Sequence, residues 1–360
     1  MPPRKTERDH GGSRRWLVLA ILVIGAGAGL YASRDPLSEH LRAWLAPGSN
    51  VQLAGVPQPR KAPAKASDAD ETHDRAADLA EMPALIATDA AAPETWPALT
   101  PADLLGQSGA LGDRSLKDIA FDQPPSRRFA RPFTPASGRP LLGLLVTGLG
   151  TDRAVTAAAI AGLPAEVSLS FSPYAADLAD WIAASRAFGH EAMVDLPLQS
   201  KDFPKRDPGP LGLLVALNAS EAGRRIDAIA QSAPGAFGFA GDGGDALLLD
   251  DDAAGIVLRE TARLGLAFID TSGEPMSLAL PAARDAGLAA TRSAIALDRR
   301  PSRTAIAERL SAAVQLAQKQ GSVLAVARAS PLAITAIAEG LRRLGDQDPL
   351  PAPASALLQR

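Results

Sequence analysis

Residues 141–150 read Leu-Leu-Gly-Leu-Leu-Val-Thr-Gly-Leu-Gly, a short apolar run set between Pro140 and the glycines Gly148 and Gly150. The run is too short for a helix of ordinary length and is bounded by breakers, so it reads as a fully buried strand. In α/β proteins ligands sit at the carboxyl ends of such strands, which puts Thr147 and Gly148 at the centre of the functional question.

From this strand onward the chain alternates. An Ala-rich helix is expected over 152–162, capped by Thr151 or Asp152 and stopped by Pro164. Strands follow at 167–171, 191–196, 236–240, 266–270, 294–297 and 322–327. Helices fall between them at 176–188, 220–231, 251–264, 277–286 and 302–320, and a last one runs over 331–344 with Pro331 at its first position. Strands alternating with helices imply a parallel sheet or an incomplete barrel. Residues 139–360 are long enough to bury one substantial core.

Upstream the composition changes. Residues 34–138 are Pro- and Ala-rich: fourteen of the thirty prolines lie between Arg34 and Pro140, among Asp, Ser and Thr. Such a segment buries too little apolar surface to offset its ordering entropy and reads as a low-order linker. Residues 1–15 carry Arg4, Lys5, Arg8, Arg14 and Arg15 against Glu7 and Asp9, and precede an uncharged run over 16–32. Basic residues before an apolar run favour a cytoplasmic N-terminus, a transmembrane anchor over 16–33 and an exported C-terminal domain. Ala26-Gly27-Ala28 also fits a cleaved signal peptide, and either reading takes the globular part out of the cytoplasm. The expected location is the inner membrane, single-pass, with the domain in the periplasm.

Several chemistries are excluded. A net charge of -3 and the lack of a basic patch with interleaved aromatics argue against nucleic acid. Without cysteine there is no disulfide, thiolate metal site or Cys nucleophile. Gly148-Leu149-Gly150 invites a dinucleotide reading, but Arg153 stands where the third glycine belongs. No Gly-x-Ser-x-Gly elbow falls in the 139–360 region, which holds one histidine, His190. Asp195 and Asp270 are expected at carboxyl ends of strands, and with His190 they form a candidate mixed His/carboxylate metal site. Each also has a bland reading, as an acceptor for nearby loop amides. Tyr174, following Pro173 after an expected strand, is an aromatic placed either to face a ligand or to pack against a loop.

Thr147-Gly148-Leu149-Gly150, Phe171-Ser172-Pro173-Tyr174, Gly189-His190-Glu191, Leu196-Pro197-Leu198, Asp207-Pro208-Gly209-Pro210 and Phe268-Ile269-Asp270, in this order over 141–358, resemble the divergent polysaccharide deacetylase family. The resemblance implies a distorted NodB-like (β/α) barrel and an envelope protein whose partner is a glycan or a periplasmic protein. It also implies a divalent metal such as zinc that activates water against an acetamide carbonyl, with a carboxylate as base and a histidine as acid. The first strand of that family normally ends in Asp-Asp, and here the two positions are Thr147 and Gly148. The resemblance then leaves Asp270 and Glu191 as catalytic candidates, Thr147 and Tyr174 as substrate-binding candidates, and His190, Asp195 and Asp270 as metal candidates. A domain of deacetylase lineage with weak or lost chemistry, and a non-catalytic module binding glycan or protein, both follow from it.

Overall fold

The computed structural model describes residues 96–108, 122–135 and 138–359. The expected anchor over 16–33 and the basic residues before it lie outside them; among the described residues no helix is long and apolar enough to cross a membrane.

The strand at the centre is β1 (Leu141–Leu149). It is followed by α1 (Arg153–Gly162), β2 (Ser168–Phe171), α2 (Leu178–Ala187), β3 (Ala192–Leu198), α3 (Ala219–Ser232), β4 (Gly238–Gly243), α4 (Asp251–Arg263), β5 (Ala267–Asp270) and α5 (Ala279–Asp285). Then come β6 (Ala290–Arg292), β7 (Ile295–Ala296), α6 (Arg303–Gln320), β8 (Ser322–Arg328), α7 (Pro331–Arg342) and β9 (Leu350–Ala352). Side chains cap the helices as their chemistry dictates: Asp152, Asn218, Asp250, Ser302 and Ser330 each accept an amide N–H from the first turn of the helix they precede. The cap of α3 is Asn218, so the helix starts before the expected Ser220, which lies inside it.

All neighbouring strands pair in parallel, in the order β6-β5-β4-β3-β2-β1-β8-β7. The short β2 covers only the carboxyl half of β1; β9, which the sequence pattern did not reveal, pairs with the amino half at Leu141, Leu142 and Gly143. The curl is drawn together by residues 293–294: Ser293 N donates to Asp270 O (2.9 Å) on β5, and Ala294 N donates to Leu324 O (2.8 Å) on β8. The result is a distorted parallel (β/α) half-barrel, the architecture expected of a NodB-like domain.

Strand alternation sorts the core. Leu142, Leu144, Val146, Phe171, Phe239 and Phe268 belong to the cluster under the helices, together with Trp181. Leu145, Met193, Phe237, Ala240, Ile269 and Val326 form the inner cluster. The strand expected over 191–196 runs on through Pro197 to Leu198. The pairing of β2 with β3 ends at Val194, so Pro197 lies beyond the reach of β2, and its carbonyl instead accepts Leu213 N–H (2.8 Å).

Part of the expected linker belongs to this body. The helix Pro101–Ser108 buries Leu104 completely in the outer cluster, with Trp96 and Leu99 packed beside it. Phe129 packs against the inner cluster. The Pro-rich composition hid these few anchoring residues, which gain their apolar partners only from the folded domain.

Gly150 has φ +90°, and a Cβ there would stand 2.4 Å from Ala175 Cβ; Gly287 has φ +64° and open space around it. Gly150→Ala is expected to destabilise the domain by about 3 kcal/mol, from left-handed strain plus overpacking, and Gly287→Ala by about 1 kcal/mol from strain alone. Urea unfolding of the two variants checks the difference.

Candidate functional site

The carboxyl ends of β1, β3, β4 and β8 bring Thr147, Gly148, Asp195, Asp242 and Arg328 to one end of the barrel. Register sets the arrangement: Thr147 pairs with Arg328, and Asp195 pairs with Ala240, so that alternation puts Asp242 on the same inner face as Asp195. Thr147, Arg206, Asp242, Asp245, Asp298 and Arg328 line a cavity of about 240 Å³. The Arg328 side chain pairs with Asp242, and its backbone N–H donates to Asp298 Oδ2 (2.8 Å).

Asp195 is buried and is not among the lining residues. Gly148 N–H donates to its Oδ2 (2.8 Å) and Ser170 Oγ–H to its Oδ1 (2.5 Å). Burial, followed by the nearby Asp242 carboxylate, pushes its pKa up to about 7 against the opposing pull of these two donors and of Arg328.

Asp270 lies elsewhere. It pairs with Gly241, one step out of phase with Ala240, and so points to the opposite face of the sheet from Asp195. Its Oδ1 accepts Ser272 N–H (2.9 Å), and its Oδ2 lies 3.7 Å from Arg292 Nη2.

His190 and Glu191 occupy the other end of the barrel, ahead of β3. His190 is buried with Nδ1 at 2.8 Å from Val167 O and Nε2 at 3.0 Å from Ile160 O, and burial lowers its pKa. Five residues of extended chain, about 16 Å, separate it from Asp195. The structure therefore does not bring His190, Asp195 and Asp270 together as a shared metal site: one is at the wrong end of the strand and another on the wrong face. Glu191 accepts Ser168 Oγ–H (2.7 Å) and Ser355 N–H (2.9 Å) on Oε1, and Arg131 N–H (3.2 Å) on Oε2. This carboxylate stitches β2 and the segments around Arg131 and Ser355 to the start of β3, and it is remote from the cleft.

Tyr174 joins two of the sequence motifs. Its hydroxyl donates to Pro208 O (2.6 Å) and accepts Leu211 N–H (3.1 Å), while its ring remains partly exposed. Thr147 lines the cleft. Reading by residue type missed Arg328, Asp242 and Asp298. Asp242 carried a signal, a carboxylate in Gly241-Asp242-Gly243-Gly244 just after an expected strand; Arg328 gave none, because only the β1–β8 register places it opposite Thr147.

A family model described as divergent polysaccharide deacetylase matches residues 144–358. The chain belongs to that family. An uncharacterized protein of Haemophilus influenzae is 24% identical over 187 residues, 52% of this chain, and this chain spans 66% of that relative's length. The crystal structure of the uncharacterized protein ATU2773 from Agrobacterium tumefaciens C58 superposes with a TM-score of 0.63 at 27% identity, over 67% of this chain and 97% of that one.

Deacetylase relatives are often metal-dependent, and a dication needs several oxygen or nitrogen donors converging on one point. Gly148 offers no side chain, and a Cβ at that position would stand 3.2 Å from Arg328 Nη1, so a guanidinium already lies where a carboxylate would have to project. Among the described residues no three His, Asp or Glu side chains are grouped to hold a metal ion. These residues do not fit a divalent cation.

Two outcomes follow. Glu191→Ala leaves buried N–H and hydroxyl groups unpaired and is expected to cost about 3 kcal/mol or more, loosening residues 354–358 in hydrogen exchange. Because Asp195 holds its proton longer in the fold than in the unfolded chain, native stability falls as pH rises from about 4 to about 7, by at most about 4 kcal/mol. In Asp195→Asn, which mimics the protonated acid, urea midpoints should stay level across that window.

Proposed function

We propose that this protein is an envelope module of deacetylase lineage that binds a hydroxyl-rich glycan in the cleft formed by Thr147, Asp242, Asp298 and Arg328, with metal-dependent deacetylation weak or lost. The observation that carries this reading is Arg328, whose guanidinium pairs with Asp242 and lies against Gly148, where the family normally presents a carboxylate. Carboxylates and a guanidinium around a small cavity supply the acceptors and donors that vicinal hydroxyls require. The partly exposed ring of Tyr174, fixed by its two hydrogen bonds, offers an apolar face near the rim for a sugar ring.

We further propose that residues 16–33 anchor the chain in the inner membrane and hold the domain in the periplasm, where the glycan or a periplasmic partner is met. The basic residues ahead of the apolar run support that orientation.

The test uses the full-length protein, titrated with N-acetylglucosamine oligomers and incubated with zinc, cobalt or manganese. Saturable binding without stoichiometric metal is expected, with acetate release at background and about tenfold weaker binding in Arg328→Ala. Stoichiometric metal accompanied by acetate release that disappears in Asp270→Ala would sink the binding-module reading in favour of an enzyme.

A further inference from the structure

Beside the cleft lies a second cavity, of about 340 Å³, lined by Asp270, Glu274, Arg292, Arg299 and Arg309. The two cavities share Ala296 and are divided by residues 271–274, of which Thr271 and Ser272 line the first and Gly273 and Glu274 the second. A ligand longer than one sugar ring therefore reaches both.

The second cavity carries more positive than negative charge, and its carboxylates are already engaged. Asp270 accepts Ser272 N–H and lies 3.7 Å from Arg292, and Glu274 is paired with Lys201. Arg292 turns its donors to Ser277 O (3.3 Å) and Pro275 O (3.4 Å). Arg309 is held to the wall by Nε on Ala296 O, and its terminal nitrogens bond none of the described residues. Arg299 makes no hydrogen bond or ion pair with the described residues. Its Nη2 lies 3.3 Å from where a Cβ of Gly273 would stand, so the backbone passes directly beneath the guanidinium. Two guanidinium groups with free donors lining one cavity are suited to an oxyanion, which each can grip with two parallel N–H bonds.

We propose that this cavity binds an anionic substituent of a saccharide, a carboxylate or a phosphate, while the sugar to which it is attached occupies the adjoining cleft. The charge half of the proposal rests on Arg299 and Arg309, and the sugar half rests on the glycan reading above. The preferred ligand class is thus an acidic glycan.

The test titrates the full-length protein at low ionic strength with sodium D-glucuronate, glucose 6-phosphate, D-glucose and inorganic phosphate. The charged sugars are expected to bind at least tenfold more tightly than glucose, with the margin shrinking as salt is added; which of the two is tighter separates carboxylate from phosphate. Arg299→Ala is expected to remove most of that margin and Arg299→Lys to keep part of it, with urea midpoints near wild type because the side chain is exposed. Equal affinity for glucose and the charged sugars, unchanged in Arg299→Ala, would overturn the anion site and leave the glycan cleft standing. Binding of inorganic phosphate that Arg299→Ala abolishes, with no saccharide bound, would keep the anion site and overturn the glycan reading.

Discussion

The carboxyl group of Asp195 ties three adjacent strands together. It sits on β3, receives a hydroxyl from β2 through Ser170, and receives a backbone N–H from the end of β1 through Gly148. A polar group buried this deeply is tolerated because both of its oxygens are engaged. The knot fixes where β1 ends, and the end of β1 decides what stands opposite it on β8. The position of Arg328, and hence the shape and charge of the cleft, depends on that one clasp.

The same clasp explains why a glycine is at home at position 148. Its φ of +76° is a backbone state that ordinary side chains resist, and the bent chain is what aims the amide at Asp195. The turn at Thr147 and Gly148 is therefore part of a connected arrangement that includes Ser170, Asp195, Asp242 and Arg328.

Much of the fold was legible in the sequence because its signals are local. Apolar runs bounded by Pro and Gly gave the main strands, and Asp152, Asp250, Ser302 and Pro331 marked helix starts through short-range chemistry. What escaped was set at long range. Residues 290–292 and 350–352 are too short to announce themselves as strands and exist only because an edge is waiting for them. Leu104 gave no hint that it fills the core, since its partners lie dozens of residues away. For the site, residue type pointed to Asp195, and to Thr147 as part of the cleft, but could not tell the two ends of a strand or the two faces of a sheet apart. His190 and Glu191 look like chemistry in a linear reading; their partners, backbone carbonyls for one and amide and hydroxyl donors for the other, show them to be joinery.

That joinery also bears on how the chain reaches its folded state. Glu191 is satisfied only when Ser355 arrives, 164 positions later, and the amino half of β1 is flanked on one side only when residues 350–352 dock. Until those residues are available, burying Glu191 would leave its carboxyl group without one of its donors, and the amino half of the central strand keeps an open edge. Contacts of such separation make folding slow and push it toward a single concerted event late in synthesis. A chain that ends near residue 340 lacks both the Ser355 donor to Glu191 and the β9 partner of β1.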